Sequence, residues 1–236
     1  NGLKRLWVVN QDNDTVSVFN TDTETKLAEI PVGKSPRSMA VAPDGRVWVS
    51  NKMDSSLSVL NPSTLQVQQT IALPVNSQPF GLAFAPDGSV GYVVLEAVGK
   101  LLKINPVSGE AITSMDVGPN PRHIAVQNDS GKILVSRFIS PPLPGESTAT
   151  VQTADMQGKR GGEIIVVNAN TMSIERTVVL EHSDKEDTEN KGAGVPNYLA
   201  MAGISPDGKT VWIPSKQDNV KRGNLRNAKN LNFQNT

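Results

Sequence analysis

Two arginines stand directly after prolines, in "SPRS" and "NPRH", which puts Arg37 and Arg122 at matching points of a recurring phrase. Phe80 in "QPFG" and Asn197 in "VPNY" occupy the same point in two further copies. If these four residues gather around one opening, the guanidinium groups could bind a carboxylate, a phosphate or an acidic partner by forked hydrogen bonds. The competing reading pairs each arginine with an Asp or a carbonyl of a neighbouring unit. His123, beside Arg122, could ligate a metal or haem, or shuttle protons. One histidine without a spaced partner is more often a hydrogen-bonded structural residue. Arg137 and Lys216 complete the candidate binding set.

No catalytic constellation accompanies these residues. The chain has no Gly-x-Ser-x-Gly, no His-Glu-x-x-His, no Gly-x-x-x-x-Gly-Lys and no dinucleotide fingerprint opening a helix. His182, the other histidine, sits in "EHSDKEDTEN", which lacks the Asp-x-Asp-x-Asp-Gly spacing of a calcium loop and reads as a solvated charge run. No catalytic residue, metal site or cofactor is therefore expected within this segment. Lys plus Arg equals Asp plus Glu at 23 each, a balance that supplies no general attraction for nucleic acid or an anionic membrane. The absence of cysteine excludes disulfides, thiol catalysis and covalent c-type haem attachment within the 236 residues. No run of about 18 apolar residues is present, so no membrane span is expected. The chain opens at Asn1 with no basic and apolar leader, as a processed or partial product does.

The candidate residues are positioned by a repeat. "APDG" at 42–45 returns at 85–88, as "NDSG" at 128–131 and as "SPDG" at 205–208; the first three lie 43 residues apart. A fixed period of this size marks an array of supersecondary units. Within one period, "RSMAVA" and "RVWVSN" flank a Pro-Asp-Gly turn in which Pro presets φ and Gly accepts a positive one. "SLSVLN" and "QVQQTIAL" follow, the second alternating with period two. Four short strands per unit form a sheet that cannot bury both faces alone, so neighbours must stack on it. Stacked radially, such units are blades of an all-β propeller.

The stretch "LWVVNQDNDTVSVFNTDTETKLAEIPVGKSPRSMAVAPDG" resembles the YVTN family of propeller repeats almost from end to end, and the resemblance extends over about 1–215. It implies four-stranded antiparallel blades, about four to five in this chain, belonging to a seven-bladed ring. It also implies a periplasmic or extracellular setting. "WIPSKQDNVKRGNLRNAKNLNFQNT" is similar to a stretch of propellers associated with di-haem cytochrome peroxidase-like modules. The first unit lacks its inner strand and the fifth holds only two strands. The chain is therefore expected to be one incomplete propeller domain over 1–236, with missing blades or another chain completing the ring.

Two insertions, 139–162 and 181–197, and an extended C-terminal segment, 216–236, belong to the end of the ring that carries the blade-to-blade loops. Loops on a rigid scaffold are the usual place for binding residues. The sequence thus reads as a non-catalytic scaffold that binds a protein or an anionic small molecule at the channel mouth. The alternatives are the propeller portion of a cytochrome-linked redox protein, whose haem lies in another domain, and a lactonase-like hydrolase.

Overall fold

Val47, Trp48 and Val49 follow one another and are all buried, so the strand they form has apolar neighbours on both faces. That is the condition of a sheet stacked between two others. A computed structural model, which describes residues 4–129, 131–139, 161–180 and 195–218, shows how the chain meets it. The first unit holds β1 (Arg5–Asn10), β2 (Thr15–Asn20) and β3 (Thr25–Pro31), paired in that order. The second holds β4 (Pro36–Val41), β5 (Val47–Asn51), β6 (Ser56–Asn61) and β7 (Gln66–Ala72). In the third, β8 (Pro79–Phe84), β9 (Gly91–Leu95), β10 (Lys100–Ile104) and β11 (Ala111–Asp116) repeat the pattern. The fourth is β12 (Pro121–Val126), β13 (Lys132–Arg137), β14 (Glu163–Asn168) and β15 (Ser173–Val179). All pairings are antiparallel. A fifth unit is begun by β16 (Val195–Asn197) with β19 (Lys216–Asp218), and β17 (Gly203–Ile204) with β18 (Val211–Trp212). Among the described residues there is no α-helix.

Stacking of the sheets follows from which face each side chain takes. Val47 and Val49 pack with Val16, Val18 and Ile30 of the first unit. Trp48, on the other face of the same strand, packs with Leu82, Val93 and Leu95 of the third. Tyr92 and Val94 then meet Ile124, Ile133 and Val135 of the fourth. The second strands β5 and β9 are thus each shared between two inter-blade cores. Inner strands β4, β8 and β12 lie side by side. Hydroxyls tie successive blades there: Ser50 Oγ donates to the Phe80 carbonyl at 2.6 Å, and Ser136 Oγ to that of Ala200 at 2.9 Å. The architecture is a β-propeller segment of about four blades, the fold class the repeat implies.

Strand direction sorts the loops into two ends. The Pro-Asp-Gly turns lie at one end, with Gly45 at φ 88° and Gly88 at φ 73°. Every blade-to-blade connection and every turn between second and third strands lies at the other, the proline end. The flanks of both insertions are at the proline end, because β13 and β15 finish there and β14 and β16 begin there. Most of insertions 139–162 and 181–197, His182 and most of the 216–236 segment lie outside the described residues.

Candidate functional site at the proline end

Three residues before the prolines, Ser35, Gln78 and Asn120, adopt left-handed backbone with φ 53°, 52° and 54°. Their carbonyls accept the amides of Lys52, Glu96 and Phe138 at 3.0, 3.0 and 2.9 Å. These bonds fix the residue that follows each second strand against the entry of its own inner strand. Just past each proline the pairing slips: register shifts fall between Pro36 and Ser38, Pro79 and Leu82, and Pro121 and His123. Arg37, Phe80 and Arg122 therefore sit on β-bulges, which re-aim a side chain out of the sheet's alternation.

The bulged residue of one blade reaches the residue after the second strand of the preceding blade. Arg37 Nη1 donates to Gln11 Oε1, while its Nε is buried without a partner among the described residues. Lys52 Nζ lies 5.8 Å from the centre of the Phe80 ring. Arg122 donates from Nε to Glu96 Oε1 at 2.7 Å and also from Nη2. Phe138 meets Tyr198 edge to face at 4.9 Å. Three junctions thus use one geometry and three chemistries, and at the fourth Phe138 meets Tyr198, one residue beyond the matching Asn197.

Glu96 is the electrostatic centre of this rim. Only 8% of its side chain is exposed, and it holds Lys52 Nζ at 2.5 Å through one oxygen and Arg122 through the other. The Arg122 guanidinium is further enclosed by aromatic faces, 4.9 Å from the Phe80 centroid and 3.2 Å from that of Phe138. His123 stands edge-on to Phe80 at 5.1 Å. Burial, reinforced by the Arg122 charge and opposed by Glu96, pulls its pKa down to about 4. The imidazole is accordingly neutral at pH 7.

Of the residues singled out by sequence, Phe80, Arg122 and His123 come together in this cluster, and Arg37 lies two junctions away, bonded to Gln11. The two arginines therefore do not share one ligand position; each is engaged by the blade before it. Arg137 turns towards Glu163, with Nη1 to Oε2 at 2.5 Å, and donates from Nη2 to the Val117 carbonyl at 2.8 Å. Lys216 pairs in register with Asn197, and its ammonium lies 5.2 Å from the Tyr198 ring centre. Lys52, Glu96, Phe138 and Tyr198 escaped the sequence reading. Lys52, Glu96 and Phe138 share the position directly after "VWVSN", "GYVVL" and "KILVSR", a signal visible once the second strands are aligned.

Beside the cluster, a cleft of about 530 Å³ opens between the turn at Glu96–Gly99 and the connection at Asp116–Asn120. Lys52, Gln78, Glu96, Asp116 and Asn120 line it, with backbone at Gly99 and Gly118. Its volume is that of a small-ligand site, and its wall mixes polar and apolar surface.

The family model of YNCE-like β-propellers matches residues 3–140, a span that contains Arg37, Lys52, Phe80, Glu96, Arg122 and the cleft. The chain belongs to the YNCE-like β-propeller family. Among solved structures, this YNCE-like propeller is similar to the hydrazine synthase of Kuenenia stuttgartiensis, with TM-score 0.72 and 18% identity over 91% of this chain and 53% of that one. It is also similar to a streptogramin B lyase, with TM-score 0.62 and 19% identity over 90% of this chain and 59% of that one. Both likenesses are of fold. The chain spans a little over half the length of each. No curated protein matches it.

Proposed function

We propose that this chain is a propeller scaffold that binds a protein or anionic partner through its proline end and does no chemistry of its own. The observation that supports this reading is the rim: Glu96 ties Lys52 and Arg122 of the blades on either side, which makes a stiff frame from which loops and the adjoining cleft can be presented. The long insertions branch from that same end. Rigid support with variable loops is the arrangement that binding surfaces on repeat scaffolds use. The YVTN-like repeats favour a periplasmic or extracellular setting for it. A second reading rests on the similarity of residues 212–236 to cytochrome-associated propellers: the chain is then the propeller portion of a redox protein whose haem is carried elsewhere.

Site-resolved photo-crosslinking in extract of the source cells tests the scaffold reading. A crosslinker placed at Val98 or Asn120, at the proline end, is expected to capture one discrete species. The same group at Asp44 or Asp87, in the opposite turns, is expected to capture none. Equal capture at both ends, or none at either, counts against the proposal. Haem in the captured species moves the assignment to the redox reading.

A further inference from the structure

Lys52 is the most constrained cation of the cleft. Its side chain is only 15% exposed, yet its ammonium, with three N–H donors, has one hydrogen-bond acceptor among the described residues, Glu96. The second Glu96 oxygen is taken by Arg122. One carboxylate therefore serves two cations, and this corner of the cleft carries one surplus positive charge. The other acid on the cleft, Asp116, lies at its outer edge with 80% of its side chain exposed and is neutralised by Lys100 at 3.0 Å. Gln78 and Asn120, half-buried on the wall, have no side-chain hydrogen bond among the described residues, so two amides are available to donate. Val98 and Pro119 add apolar surface beside them.

We infer that this cleft binds a carboxylate-bearing ligand, with Lys52 Nζ supplying the charge and the Gln78 and Asn120 amides the orienting hydrogen bonds. A charge-assisted bond from a largely desolvated ammonium is the strongest such contact the cleft offers. A free organic acid and an acidic side chain of a partner protein present the same chemistry. The inference deepens the scaffold reading by naming what the proline end recognises, and it rests on that reading for the choice of end.

The test is titration of isotope-labelled protein, read from backbone amide signals of Ala97–Gly99, Gly118 and Asn120. The probes are N-acetyl-glutamate and an end-blocked tetraglutamate peptide, with N-acetyl-glutamine as the neutral control at matched ionic strength. Saturable shifts at those amides are expected with one or both acids and none with the control. Lys52→Met keeps an unbranched side chain, removes the charge and is expected to weaken binding about tenfold or more. Lys52→Arg should retain it. Gln78→Glu, which leaves Lys52 in place and adds a repelling charge, should abolish it. Tighter binding of the free acid identifies a small-molecule ligand, and tighter binding of the peptide an acidic protein segment. No saturable shift with either acid, or shifts unchanged in Lys52→Met and Gln78→Glu, overturns the inference. That outcome, together with discrete crosslinks at 98 and 120, leaves the scaffold reading standing and removes only the carboxylate.

Discussion

A neutral imidazole wedged against Phe80 and one residue from the Arg122 charge has a cost that pH reveals. The pKa of His123 stands at about 4 in the folded chain against an ordinary value of 6.5. Between those values the unfolded chain binds this proton and the folded chain does not, so acidification favours unfolding. The contribution of His123 to stability is full above about pH 7 and falls as pH drops through 6.5 towards 4. Most carboxylates titrate at the lower edge of that window, which leaves pH 7 to 5 as the clean interval. The Tm of the wild-type chain is expected to fall across it more steeply than that of His123→Gln. Parallel slopes would show that the imidazole is not held neutral by its surroundings.

At the scale of the strand, Gly81 lets β8 and β12 approach more closely than a side chain there would allow. A methyl group there would lie 2.6 Å from the Arg122 carbonyl oxygen and 3.0 Å from the His123 Cα, and backbone cannot yield as a side chain does. Gly45 is a glycine for another reason: nothing lies within 4 Å of its absent Cβ, but its φ is +88°. Gly81→Ala is therefore expected to destabilise the chain by roughly 1–3 kcal/mol in urea unfolding. Gly45→Asn, which tolerates left-handed backbone, should stay within about 0.5 kcal/mol of wild type. A harmless Gly81→Ala would mean that the inner strands can part freely. The strands themselves were legible in the sequence, since the Pro-Asp-Gly turns and the alternation of "QVQQTIAL" act locally. So was the proline end, because strand direction follows from the count of strands. The partners of Arg37 and Arg122 were not. Gln11, Lys52, Glu96 and Phe138 share a position that aligned second strands mark, but side chains so unlike one another carry no sign of what each one meets. Only docking of one sheet on the next shows that each matches the residue it faces.

Over the whole chain, cohesion is a matter of nearest neighbours. β5 and β9 are buried along their full length between two sheets, whereas Val211 and Trp212 of β18 are exposed, Trp212 by 60%. In a repeat array, protection follows the number of stacked faces. Amide hydrogen exchange is expected to be slowest in β5, β9 and β13 and fastest in β17 and β18; uniform protection across the units would instead indicate one global unfolding step. The differing chemistries of the rim have a further effect. Were the third blade excised and the fourth brought up to the second, Lys52 would face Arg122, two cations with Glu96 gone. A module copied or transposed in this gene arrives with the wrong half of its seam. The order of the units is thereby proofread at their edges.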